Sequence, residues 1–156
     1  MIKNKFLIYC FLCSFLLSCS ISNPLKTNSK ISSKDCPRSL ILYESRSLGL
    51  GNAKLELPTD YLLNCYLIED KGIVEISIDY SLNVLLKEEE KNEYLSNFIV
   101  FVTDESKQIT INEFKFLKEL KIENNDRKFF VFKFNDKIQI DLNTYNSGVR
   151  LFFAIN

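Results

Sequence analysis

The chain of 156 residues contains no histidine and only four glycines. Without an imidazole there is no Ser-His-Asp triad and no His-ligated metal centre, and so little glycine excludes a glycine-rich loop that cradles phosphate. Charge of one sign is lacking as well. Twenty Lys and Arg face twenty Asp and Glu, so no basic surface is expected to draw nucleic acid. A Ser-Lys pair works without histidine, but no Ser lies three residues before a Lys, and the alternating acids with central Gly of a calcium loop do not occur either. No cofactor and no metal are expected. What enzyme chemistry remains would rest on loop carboxylates: Glu69, Asp70, Glu75 and Asp79 fall near one hairpin, where alternation with apolar residues fits the wet side of a strand.

A long hydrophobic run is also missing. The stretch Phe6 to Leu17 is 12 residues long, against the roughly 20 that a membrane-spanning helix needs. Preceded by Lys3 and Lys5, it reads as the apolar part of a secretory signal over residues 1–18. At its end, Leu16-Leu17-Ser18-Cys19 resembles the lipobox of bacterial lipoproteins. The resemblance implies that Cys19 is diacylated on sulfur, that cleavage falls just before it, and that the new amino terminus is acylated too. The chemistry is consistent, because a thiol is nucleophilic enough to form a thioether with a lipid donor and a small residue before it admits the peptidase. One acyl chain anchors marginally, whereas two or three hold durably. By the same resemblance Ser20, where an Asp would favour retention in the inner membrane, implies the outer membrane. The alternative is an ordinary secretory peptide with an incidental Cys, since Cys10 and Cys13 already sit in the apolar run.

Loss of Lys3 and Lys5 with the signal leaves 18 basic and 20 acidic residues, a net charge near −2. Cys36 and Cys65 are then the two cysteines left beside Cys19. In an oxidising compartment they make one candidate bridge, worth about 3.5 kcal/mol on the chain-entropy view; the alternative is two buried thiols. Ser20 to Asp35 is rich in Ser, Asn and Lys and has no period. It reads as a flexible tether that lets a domain float on the order of 20 Å from the lipid; a strand starting within Leu25 to Ile31 is the other reading.

Beyond residue 36 the dominant period is two. From Gly72 to Lys87 the even positions Val74, Ile76, Ile78, Tyr80, Leu82, Val84 and Leu86 are apolar, the signature of a long half-buried strand. Tyr61 to Glu69 precedes it across Asp70-Lys71-Gly72, and the two are expected to form a hairpin. Further strands are expected at Leu40 to Tyr43, Asn97 to Thr103, Gln108 to Ile122, Phe130 to Leu142 and Val149 to Ile155. Within Gln108 to Ile122 the apolar phase slips near Asn112-Glu113, which predicts a β-bulge. Glu88 to Lys91 is read as a solvated loop or a single helical turn. About seven antiparallel strands joined by polar turns predict an immunoglobulin- or fibronectin-like sandwich over residues 36–156, with a small barrel as the alternative. The expected organisation is a signal peptide (1–18), a lipidated tether (19–35) and that domain.

Cys36-Pro37 before Leu40-Ile41-Leu42, Cys65-Tyr66 before Lys71-Gly72-Ile73-Val74-Glu75, and Phe98 to Val102 together make residues 36 to 155 similar to an alphaproteobacterial family of short lipoproteins of unknown function. The resemblance implies no catalytic residues and favours pairing of Cys36 with Cys65. In Lys128 to Phe134, bases alternate with aromatics as on a single-strand nucleic-acid platform. Phe130, Phe132 and Phe134 fit a sandwich core better, which leaves Phe129 and Val131 on the opposite face. Those two are the candidate surface for an envelope protein partner. The expected function is a non-enzymatic, lipid-anchored outer-membrane module facing the periplasm; the alternative is a periplasmic hydrolase, or an inhibitor of one, using loop carboxylates.

Overall fold

The computed structural model describes residues 28–87, 93–106, 108–122 and 128–156. Ten strands form two sheets: β1 Asn28–Lys30, β2 Arg38–Ile41, β3 Ser47–Leu50, β4 Ala53–Glu56, β5 Leu62–Ile68, β6 Ile73–Leu86, β7 Glu93–Asp104, β8 Thr110–Lys121, β9 Phe129–Asp141 and β10 Val149–Ile155. One short helix, α1 Leu142–Asn146, links β9 to β10. The protein is an all-β sandwich of two sheets, not a closed barrel.

The first sheet is built on β6. Its whole length pairs with β9, from Ile73↔Asp141 to Leu85↔Phe129. Its other edge is divided, with β5 on residues 73–79 and β4 on residues 83–86; β1 adds to β5 and β3 to β4. The second sheet runs β2-β10-β7-β8. The β5–β6 hairpin forms as the sequence indicates: Gly72 closes it at φ +60°, left-handed backbone that glycine adopts without a Cβ penalty.

Alternation sets the core. The even positions of β6 from Val74 to Leu86 and of β7 from Tyr94 to Val102 are buried, and the odd positions of β10 meet them. Tyr80 on β6 stacks on Phe98 of β7 with ring centroids 3.8 Å apart, and Tyr61 meets Phe153 of β10 edge-on at 4.9 Å. Cys36 and Cys65 are joined by a disulfide with Cα atoms 5.9 Å apart. The bond ties the segment entering β2 in one sheet to β5 in the other.

Several expectations change. There are ten strands among the described residues, not about seven, because β1, β3 and β4 span only three or four residues each and offer no long alternation to read. β2 and β10 run parallel, so the sandwich is not purely antiparallel. Part of the expected tether is sheet: β1 pairs with β5, and the Ile31 amide donates to the Cys65 carbonyl at 2.9 Å. All three β1 side chains are exposed, so backbone bonds hold it and no apolar pattern announces it. The bulge expected near Asn112-Glu113 is present, with Ile111 unpaired opposite Val102/Thr103, but Ile109 and Ile111 stay exposed instead of turning inward. Leu142 opens α1, not the end of a strand, with the Asp141 carboxylate accepting from the Asn143 and Thr144 amides. Glu88 to Lys91 and the signal peptide lie outside the described residues.

Candidate functional site

The odd positions of β6 and β9 form the outer face of the first sheet, and pairing register divides that face into two zones. At the end where β6 finishes, Leu85 lies opposite Phe129 and Asn83 opposite Val131. Leu85, Phe129 and Val131 are each about half exposed, at 47%, 52% and 49%. Phe129 and Val131 therefore sit side by side on a wet face, and the structure adds Leu85 to them. At the same end, Gly49 to Asn52 and Glu93 to Leu95 line an open hollow of about 650 Å³, and the Tyr94 hydroxyl donates to Asn52 across it at 3.1 Å.

Toward the other end of β6 the face is polar and internally paired. The Asn135 amide donates to Asp79 and, at 2.8 Å, to Ser77; Asn64 approaches the second Asp79 oxygen at 3.4 Å. Lys137 donates to Glu75 at 2.8 Å and Gln139 to its other oxygen at 3.3 Å. The Lys137 hydrogen bond, against a smaller desolvation, holds the Glu75 carboxyl below the usual carboxylate range, and Glu75 in turn raises Lys137. Lowering is the direction opposite to that needed by a general acid at neutral pH. Glu69 and Asp70 form part of the turn before Gly72.

Between the sheets lies a polar group absent from the sequence expectations. Lys118 of β8 reaches Asp136 of β9 at 2.7 Å, and the Tyr80 hydroxyl donates to the other Asp136 oxygen at 2.7 Å. The Lys118 ammonium lies 4.9 Å from the Phe134 ring centroid, 5.5 Å from Phe116 and 6.0 Å from Tyr80. Burial, reinforced by the bond to Asp136 and its charge, pushes the Tyr80 hydroxyl far above its ordinary range, so it serves as a fixed donor. A signal existed in the chain: Lys118 interrupts the apolar phase of Phe114, Phe116 and Leu120, and Asp136 interrupts that of Phe134 and Ile138. Both interruptions lie at the same level of the sandwich, which only the packing reveals.

Cys19 lies outside the described residues, whereas Cys36 and Cys65 are brought together. Among the described residues no group of three or more Cys, Asp or Glu side chains is set to hold a metal ion, and no helix is long and apolar enough to cross a membrane. No family model, curated protein or solved structure matches the chain.

Proposed function

We propose that the chain is a non-enzymatic lipoprotein of the bacterial outer membrane, akin to the short alphaproteobacterial lipoproteins it resembles, whose sandwich faces the periplasm and binds or scaffolds a protein partner of the envelope. The observation that carries the binding role is the Leu85, Phe129 and Val131 strip, half exposed on the same face that farther along pairs Asn135 with Ser77 and Lys137 with Glu75. Contiguous apolar surface of this kind costs solubility and is characteristic of contact sites. The anchor rests on Leu16-Leu17-Ser18-Cys19 after a 12-residue apolar run. A carboxylate-based hydrolase gains no support from the hairpin, where Glu75 is held ionised by Lys137.

Two measurements test the reading. Metabolic palmitate labelling of the full chain is expected to mark the product and to fail in Cys19→Ala; an unlabelled native product overturns the anchor. Phe129→Ser combined with Val131→Ser is expected to abolish in-cell crosslinking to an envelope protein while leaving the melting temperature within a few degrees. Crosslinks retained by that folded variant overturn the binding face.

A further inference from the structure

The outer edge of β8 is complementary to itself. Among the described residues β8 closes the second sheet, with β7 as its one strand partner there. Asn97 of β7 exchanges both backbone bonds with Asn156, at 2.7 and 3.0 Å. In an antiparallel ladder the hydrogen-bonding direction alternates residue by residue, so the even positions of β7 point toward β8. Those positions lie opposite Asn112, Phe114, Phe116, Lys118 and Leu120. The odd residues Glu113, Lys115, Leu117, Glu119 and Lys121 consequently direct their N–H and C=O groups off the open edge, and their side chains line the outer face.

Read outward from Leu117, these residues are Lys and Glu at minus two and minus four, Glu and Lys at plus two and plus four. We propose that a second copy of the chain pairs antiparallel along this edge about a two-fold axis at Leu117, joining the two four-stranded sheets into one of eight strands. In that register Leu117 meets Leu117 of the second copy, Lys115 meets its Glu119, and Glu113 meets its Lys121, each pair occurring twice. Leu117, at 62% exposed, is the most exposed aliphatic side chain among the described residues, and the pairing covers it.

Neighbouring registers fail. Centring on Phe116 sets Glu113 against Glu119, and centring on Lys118 sets Lys115 against Lys121. An axis passing between residues would oppose an outward-bonding position to an inward-bonding one. Among the described residues these charges make exposed pairs: Lys115 with Glu113 at 3.0 Å, and Lys121 with Glu119 and Glu93 at 3.6 Å. Such pairs are weak and can be exchanged for cross-strand partners. Mixed charge on an edge strand ordinarily discourages association; here its order selects one partner, the same strand inverted. The inference is independent of the Phe129 face, which lies on the other sheet.

The test uses the full chain, purified in mild detergent, with Leu117→Cys and a short thiol-to-thiol crosslinker, read on a non-reducing gel. Hydrogen-bonded antiparallel partners have Cα atoms about 5.5 Å apart, well within reach. Leu117→Cys is expected to give a covalent dimer at least tenfold above Leu62→Cys, an equally exposed position on the first sheet. Adding Lys115→Glu is expected to lower the yield at least fivefold, and adding Lys115→Glu together with Glu119→Lys to restore it. Equal yields from Leu117→Cys and Leu62→Cys overturn the pairing, as does a double reversal that fails to rescue with circular dichroism unchanged.

Discussion

Lys118 and Asp136 place two opposite charges between the sheets with their side chains only 11% and 10% exposed. Taking charges out of water is costly, and the attraction between them offsets that cost only while both are present and hydrogen-bonded. Here the Tyr80 hydroxyl satisfies the second Asp136 oxygen, and the Phe134, Phe116 and Tyr80 rings face the ammonium. Asp136→Ala leaves Lys118 buried without its counter-charge and removes the acceptor of Tyr80. It is expected to lower unfolding stability by about 3–5 kcal/mol in urea titration. Lys118→Met with Asp136→Leu is expected to recover most of that loss, since apolar groups of similar volume need no partner. An Asp136→Ala loss near zero would mean that the pair remains hydrated.

At the scale of elements, the long strands and the short ones differ in how they are specified. β6, with fourteen residues, and β9, with thirteen, carry many turns of a period-two pattern, so their existence and inward faces are legible from Val74 to Leu86 and Phe130 to Ile140. β3 and β4 hold Leu48, Leu50, Ala53 and Leu55 around Gly51, a hairpin too brief for its alternation to stand out. α1 depends on Asp141, whose carboxyl the Thr144 and Asn143 amides hold below its ordinary range, as Lys137 does for Glu75. Both groups take up protons more readily in the unfolded chain. The stability they contribute is therefore complete above the ordinary carboxylate range and is lost as pH falls through that range toward the folded values. Thermal melts are expected to be flat from about pH 7 to pH 5 and to fall below that. Asp141→Asn, which can still cap the helix, is expected to make the acid decline shallower. An unchanged acid decline would show that the cap carboxylate does not contribute to it.

For the molecule as a whole, the Cys36–Cys65 bond closes a 29-residue separation and links the two layers covalently. Cross-linking removes disorder from the unfolded chain more than it adds contact to the folded one. Cys36→Ser with Cys65→Ser, or reduction of the native chain, is expected to lower stability by about 3–4 kcal/mol, seen as a lower urea midpoint with the core contacts retained. Agreement between the double substitution and reduction separates the bond itself from the side chains. A loss below about 1 kcal/mol would indicate that the layers hold without it. The polar face, the apolar strip of Leu85, Phe129 and Val131, and the charged edge of β8 are all properties of this assembled sandwich.

Periodicity by itself determined the all-β class, the buried sides of β6 and β9 and the outward placing of Phe129 and Val131, because which side a residue faces in a strand depends only on its immediate neighbours. Pairing is a different kind of information. That β4 and β5 share one edge of β6, that β2 lies parallel to β10, that Lys118 finds Asp136, and that β8 is left at an open edge were decided only in three dimensions. Each joins segments far apart in the chain, and the free energy that selects them comes from burying the surfaces of both at once, which no local pattern records.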